Sequence, residues 1–490
     1  MPALDKQKFF KVMEAEGVAL TYNDVRMETR ASEVSPQEVD TTSRFSRHVP
    51  LRMPFSSAAM DTVTESAMAI ALAKYGGIGI IHAGLTIDEQ YREVRRVKLH
   101  LNGLIENPMT VYGSQTLQEV LDICQEKQFD FRSFPVLDAK EKFVGLLTQK
   151  DFDFSTDLSA TVESVMTPAA DITHAPVGTS IHDAYDTMVK NKKKKLPLLD
   201  STGKIAGLYV FSDVSRIVND NSGMYNVDKN GRLVVGAAVP TDETAVDRVR
   251  TLEKYLDVAV IDSAQGDSKY AFSTLKLLKE EFPTLDIVVG NVSTGESARR
   301  LAELGADGIK VGQGPGSICT TRIETGIGSP QVTAVWQCVE ALKGLDVPVI
   351  ADGGIQEPGD ISIAIATGAS SVMMGNMLAG TSEAPGNVIQ LADGSSVKLY
   401  RGMGSPSALR DSAAARKRYG VGGVGQPLAE GVEATIAYKG SVTEMLDHYT
   451  KALRKSMSYI GAADIATHQK TTRFYRITNA GMVESRTHDI

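Results

Sequence analysis

The residues most able to do chemistry lie between Val311 and Gly328, in a run that includes Gly312, Gly314, Pro315, Gly316, Ser317, Cys319, Thr320, Thr321 and Arg322. Three glycines and one proline within 312–317 cannot continue a helix or a central strand, so the chain turns sharply there and its backbone can approach a ligand. A thiol follows that turn, flanked by the Ser317, Thr320 and Thr321 hydroxyls and the Arg322 charge. Cysteine is the most nucleophilic common side chain near neutral pH, which makes this a nucleophile loop. A cysteine that merely fills a core sits in an apolar periodic segment, and this one does not. The spacing of Gly312, Gly314 and Gly316 is wrong for a dinucleotide fingerprint.

Further polar groups close short apolar runs along the chain. Two such runs come early, 54–61 and 76–82. Six more follow, at 233–238, 258–262, 287–291, 308–312, 347–352 and 371–375. Helical patterns separate them, several ending at glycine, as at Gly305 and Gly368. Eight buried parallel strands alternating with helices predict an α/β fold, a TIM (β/α)8 barrel, whose chemistry lies where strands end. The strand-end groups are then Asp262 and Ser263, Asn291, the Cys319 loop, Asp352-Gly353-Gly354, and Gly375-Asn376. Backbone amides after the last two strands recur as phosphate sites in this fold, here with Ser317, Gly354 and Gly375. Asp352 would accept from ribose hydroxyls, which makes a nucleoside monophosphate the expected ligand.

The barrel rhythm is interrupted after its second strand. Pro135, Gly145 and Asp151 recur at the same offsets as Pro197, Gly207 and Asp213, each set preceded by a helical pattern, 117–126 and 181–190. This internal repeat resembles tandem CBS domains, which implies an adenine or guanine nucleotide between the copies. Thr148 and Asp151 match the pattern's hydroxyl and ribose-binding acid. In the second copy Asp213 is present but Val210 replaces the hydroxyl, and the run Lys192 to Lys195 reads as a solvated loop. The expected domains are 1–106 and 220–490 for the barrel and 107–219 for the inserted regulatory pair.

A net charge of -8 over 490 residues leaves no basic footprint for nucleic acid. No stretch approaches the roughly 20 apolar residues of a membrane span. Three scattered cysteines provide neither a disulfide framework nor a zinc site, and a cytoplasmic, reducing compartment is expected.

Four segments carry a wider resemblance: Ser57-Ala58-Ala59-Met60-Asp61-Thr62-Val63-Thr64-Glu65, Gly312 to Arg322, Ala351-Asp352-Gly353-Gly354-Ile355-Gln356, and Tyr400-Arg401-Gly402-Met403-Gly404-Ser405. Together they resemble the inosine-5'-monophosphate dehydrogenase and GMP reductase family over essentially the whole chain. The resemblance implies NAD-dependent oxidation of IMP to XMP in guanine nucleotide biosynthesis, with Cys319 attacking C2 of the purine and water releasing the product. Segment 400–431 resembles the family's mobile flap, with Arg418 and Tyr419 as its catalytic pair and Thr321 with Glu430 as a second proton route.

By the same resemblance, Met60 and Met403 flank the purine, with Gly402, Gly404 and Glu430 near its edge. Ser317, Gly353, Gly354, Gly375, Asn376 and Tyr400 surround the phosphate. Asp262, Ser263 and Asn291 face NAD. A potassium ion is implied at Gly314, Gly316 and Cys319, completed by Glu484, Ser485 and Arg486 of a neighbouring subunit, hence a homotetramer that could pair into an octamer. The alternative within the family is a GMP reductase converting GMP to IMP with NADPH. Thr325 and Asn376 lean that way, whereas Gly404, Arg418 and the long interval from Arg401 to Tyr419 lean against it. A catalytically inactive nucleotide-sensing scaffold is the reading from another class, and intact Cys319, Thr321, Arg418, Tyr419 and Glu430 oppose it.

Overall fold

The computed structural model describes residues 4–101, 103–106, 108–126, 132–219, 224–419 and 428–487. It divides into two compact units, Met1–Lys98 with Met224–Ile490, and Leu99–Gly223.

The first unit is built on a closed barrel of eight parallel strands: β1 (Phe55–Ser57), β2 (Ile78–Ile81), β3 (Val235–Val239), β4 (Val258–Asp262), β5 (Asp286–Val292), β6 (Gly308–Val311), β7 (Val349–Asp352) and β8 (Ser371–Met374). These are the eight runs expected from the sequence. They are short and rich in Val, Ile and Ala because both faces are covered, inside by the barrel core and outside by helices. Phe45, Ile78, Ile80, Val258, Val260, Val288, Ile350 and Met373 fill the interior and are almost wholly buried. The helices that concern the site are α1 (Ile87–Leu99) after β2, α2 (Gln331–Ala341) after β6 and α3 (Pro358–Thr367) after β7. Glycine ends two of the crossings: Gly305 (φ +100) and Gly368 (φ +130) take backbone angles that a side chain would strain.

An N-terminal helix, Lys6–Ala15, closes one side, Phe10 stacking on Trp336 of α2 with ring centroids 4.4 Å apart. At the start of β5, Asp286 accepts from the Ser46 hydroxyl at 2.6 Å and from the His48 backbone N–H at 2.7 Å. Just before β6, Asp307 takes Lys279 at 2.8 Å and Arg47 at 3.2 Å. Charged groups therefore tie down the bottom of the barrel and leave the top, where the strands end, for chemistry.

The second unit contains the repeat. In the first copy Val111–Tyr112, helix Leu117–Glu126, Phe134–Leu137, Phe143–Leu147 and helix Gln149–Asp153 follow one another. In the second the same order is Ala175–Pro176, Ile181–Lys190, Lys195–Leu199, Ile205–Val210 and Phe211–Val218. Each copy makes its own four-stranded sheet. The unit is wider than 107–219 because Leu104–Ile105 pairs antiparallel with Tyr209 and Leu208 as the edge strand of the second copy's sheet. A two-residue strand has no periodicity to read. Among the described residues no helix is long and apolar enough to cross a membrane.

Candidate active site

The ends of β1, β4, β5, β6, β7 and β8 surround a cleft of about 1180 Å³, its open mouth included. Cys319 lines it, at the end of a turn whose backbone only glycine tolerates: a Cβ on Gly312 would stand 2.0 Å from the Asp352 carbonyl oxygen. The thiol is half-buried beside a short helix, Thr321–Thr325. Its Sγ lies 3.1 Å from Thr321 Oγ1, and that hydroxyl donates to Glu430 Oε2 at 2.7 Å. Thr321 has one proton. With that proton spent on the carboxylate, its oxygen is the acceptor for the thiol, so the only direction open to a proton is from sulfur through Thr321 to Glu430.

Backbone pairing fixes the relay. Thr320 N–H donates to Glu430 O at 2.9 Å, Glu430 N–H to Gly404 O at 3.1 Å, and Val432 N–H to Ile318 O at 3.0 Å. The loop after β6 and the distant segment 428–432 therefore meet as one antiparallel contact at Cys319 and Gly431.

A second cluster sits deeper. Lys310, only 2% exposed, projects from β6 and donates to Asp262 Oδ1 at 3.0 Å and Asp352 Oδ2 at 2.8 Å. It also contacts Asn291 Oδ1. Asn291 Nδ2 donates to Asp352 Oδ2 at 2.9 Å and to Gly312 O at 2.6 Å. One buried ammonium thus compensates two strand-end carboxylates, without which they would repel each other. The sequence reading missed Lys310; the available signal was a charge inside the apolar run Ile309-Lys310-Val311.

Arg418 reaches the same cluster from helix Ala413–Tyr419, its Nη1 paired with Asp262 Oδ2 and its guanidinium 5.6 Å from the Tyr419 ring centre. Burial raises the Tyr419 hydroxyl's pKa, with Arg418 opposing the shift. Tyr419 needs the glycine at 404, since a Cβ there would stand 2.9 Å from the ring. Residues 420–427 of the expected flap lie outside the described residues.

Directly after Asp352 and packed against Pro315 of the cysteine turn, Gly353 and Gly354 take φ of +88 and +79. Side chains rarely adopt these angles, so the two glycines leave this stretch of backbone bare toward the cleft that both of them line. Ser317, Gly375, Asn376 and Tyr400 line the same cleft. Burial raises the Tyr400 hydroxyl's pKa, and its hydrogen bond with Ser317 opposes the shift. Met60, Gly402, Met403 and Gly404 line the middle of the cleft, and Gly314 and Gly316 line the cysteine turn.

Ser263 is not brought to the cleft wall. It is 3% exposed and bonds to Gln265 O at 3.1 Å, with its backbone paired to β5. Glu484, Ser485 and Arg486 close their own helix, with Ser485 Oγ on Gly481 O at 2.8 Å and Arg486 N–H on Val483 O at 3.1 Å. None of these four lines the cleft within one chain.

Comparison with known proteins accords with this geometry. The model of the IMP dehydrogenase / GMP reductase domain matches residues 19–488. An inosine-5'-monophosphate dehydrogenase of Aquifex aeolicus is 44% identical over 474 residues, 96% of this chain and 95% of that protein. Its counterpart in Escherichia coli is 40% identical over 473 residues, 96% of each chain. Among solved structures, a GMP reductase of Trypanosoma brucei in complex with guanosine 5'-monophosphate is 37% identical, with a TM-score of 0.86, covering 97% of this chain and 99% of that one.

Proposed function

The chain belongs to the IMP dehydrogenase / GMP reductase family, and from that premise we infer that it works in the dehydrogenase direction, oxidising IMP to XMP in guanine nucleotide biosynthesis. The observation that carries the reading is the Cys319–Thr321–Glu430 relay in one cleft with the Arg418–Asp262 pair. It combines a thiol with a route for its proton and a second group for water.

As the thiol proton passes through Thr321 to Glu430, Cys319 sulfur bonds to C2 of the purine. NAD, held on the side of Asp262 and Asn291, would supply the acceptor for the hydride of C2, so that IMP, NAD and water give XMP, NADH and a proton. What remains on Cys319 is a thioimidate, and water must add to C2 and expel the sulfur. Arg418 carries a guanidinium, a poor base by its chemistry. Glu430 first releases the thiol's proton to solvent, the proton counted among the products; through Thr321 it is then the better acceptor for one proton of the water, which it returns to the expelled thiolate while the other stays on the purine. Arg418 and Tyr419 then bound the space in which that water is held.

The remaining assignments are part of this reading. Asp352, oriented by Lys310 and Asn291, accepts from the ribose. The Gly353–Gly354 turn, Ser317, Gly375, Asn376 and Tyr400 receive the phosphate. Met60, Gly402, Met403 and Gly404 border the base. Asp262 and Asn291 belong to the dinucleotide side, with Ser263 behind them rather than facing it, and Arg418 now holds Asp262, so flap and dinucleotide would take turns there.

Potassium fits the cysteine turn because the carbonyls of Gly314, Gly316 and Cys319 offer neutral oxygens, which suit a weakly hydrated monovalent cation. Glu484, Ser485 and Arg486 would complete its shell from a neighbour in a homotetramer, with pairing into an octamer as a further step. Apolar side chains left exposed on the sheet of Ser396–Arg401 and Glu433–Ala437, such as Leu399 (45%) and nearby Val432 (45%), support a partner there. An adenine or guanine nucleotide at the inserted CBS-like pair, and a cytoplasmic location, complete the reading.

The reductase direction is favoured by one finding, the 37% identity to the trypanosomal GMP reductase, together with Asn376 and Thr325. Intact-mass measurement separates the two. In Arg418→Ala, a Cys319 adduct should appear with IMP plus NAD and not with GMP alone. An adduct from GMP alone, with release of ammonia, would establish the reductase.

A further inference from the structure

Gln331 is the first residue of α2 and is 2% exposed. Its Nε2 donates to Val311 O at 2.8 Å and to Asp352 O at 3.1 Å. Two carbonyl oxygens face that end of the amide, so the orientation is settled by its neighbours. Val311 is the last residue of β6, directly before the cysteine turn. Asp352 is the last residue of β7, directly before Gly353-Gly354. One NH2 group therefore fastens the root of the nucleophile loop to the root of the glycine turn.

The fastening lies where the two backbones come closest. The Cβ that Gly312 lacks would be 2.0 Å from Asp352 O and 3.1 Å from Gln331 Nε2. The Cβ that Gly354 lacks would touch Pro315 of the cysteine turn at 3.3 Å, the Tyr22 ring at 3.4 Å and Gln331 Cβ at 3.7 Å. The amide is itself anchored from behind. Val332 N–H donates to Leu20 O at 3.1 Å, and Leu20 N–H to Thr333 Oγ1 at 2.8 Å, so the N-terminal segment holds the start of α2 in place.

We infer that Gln331 is a positioning residue for substrate: it sets the spacing between the cysteine that attacks the purine and the turn that receives the phosphate. The inference rests on the reading of Gly353-Gly354 as the phosphate turn. A substrate gripped at both ends must match that spacing to bind at all, so a change in the spacing is felt as lost affinity for IMP before any chemistry, the preorganised site no longer fitting both ends at once.

The barrel contains its own control. Gln90 of α1, fully buried, donates through Nε2 to Ile81 O at 3.2 Å, His82 O at 3.1 Å and Ala238 O at 3.0 Å. It fastens the ends of β2 and β3 as Gln331 fastens β6 and β7. No residue of β2 or β3 lines the cleft. A general role in holding the barrel together would appear at both glutamines, a role in substrate alignment at Gln331 alone.

The test compares the wild-type protein with Gln331→Met and Gln90→Met, measuring how much IMP half-protects Cys319 from iodoacetamide, alongside KM, kcat and circular dichroism. In Gln331→Met the half-protecting concentration and KM for IMP should rise about tenfold or more, with kcat at saturation falling less than about threefold. Gln90→Met should leave half-protection unchanged. If Gln331→Met does not fold, Gln331→Glu, of the same shape, is judged by the same criteria. Half-protection within about twofold of wild type, or an equal rise in Gln90→Met, would overturn the inference. Wild-type Cys319 left unprotected by IMP would instead overturn the phosphate-turn reading, and the inference with it.

Discussion

At the scale of single residues the chemistry depends on where one proton can go. Glu430→Gln leaves Thr321 a neutral partner that cannot accept it, so the thiol stays protonated. Turnover should fall by about 10²- to 10⁴-fold, the usual worth of a general base, while IMP binding persists. An unchanged rate would remove the relay from the mechanism. Arg418→Ala should act later. With the hydrolytic step slowed more than hydride transfer, stopped-flow traces should show a burst of NADH followed by a slow steady state, whereas equal slowing of both phases would make Arg418 a binding residue. Cys319 was legible from its own setting, a thiol among glycines and hydroxyls, whereas the roles of Thr321, Arg418 and Glu430 came only with the family resemblance, Arg418 otherwise reading as a solvated charge beside Arg416 and Lys417. Gln331 was not legible. A glutamine at the start of a helix looks like any solvated residue until the fold buries it between two strand ends.

At the scale of elements, the barrel strands could be read because a doubly buried strand must be a continuous apolar run. The edge strands of the inserted sheets could not, being two residues long and defined only by their partners. One buried group links element packing to solution conditions. His468, on helix Ile465–Thr471, is wholly buried and bonds through Nε2 to Ser362 O of α3 at 3.2 Å. Burial lowers its pKa to about 4. The folded protein therefore keeps it neutral where the unfolded chain, with an ordinary value near 6.5, takes up a proton. Stability from this group is fully present above about pH 6.5 and is lost as pH falls through about 4, on the order of 3 kcal/mol in total. Urea titrations at pH 7 and 4.5 should show that loss, and His468→Gln, which keeps a donor but cannot ionise, should show a smaller one. Equal losses in both proteins would mean that carboxylates alone set the acid limit.

At the scale of the molecule, chain leaves and re-enters the barrel unit at one buried ionic cluster. Lys98, 1% exposed on its side chain, donates to Asp228 at 2.9 Å and Asp257 at 2.7 Å. Asp257 in turn accepts from Val235 N–H at the start of β3 at 2.7 Å. Both ends of the insertion are thus fixed on the barrel independently of what lies between them, and none of the described residues of 99–223 is among those lining the cleft. Replacing Leu99–Gly223 with a short Gly/Ser linker should leave a folded barrel with IMP turnover within about threefold of the intact chain, on the reasoning that a change sharing no partners with the cleft residues leaves them energetically unaffected. Loss of turnover in a well-folded deletion protein would mean that the inserted unit takes part in the chemistry.

Whether the protein oxidises IMP or reduces GMP is decided by a paired assay on the purified protein in potassium buffer: NADH formation from IMP and NAD against NADPH consumption with GMP. IMP oxidation predicts NADH formation and no GMP-dependent NADPH consumption. NADPH consumption alone would contradict it, assigning the Cys319–Thr321–Glu430 relay to a reductase and leaving Arg418 without its hydrolytic role.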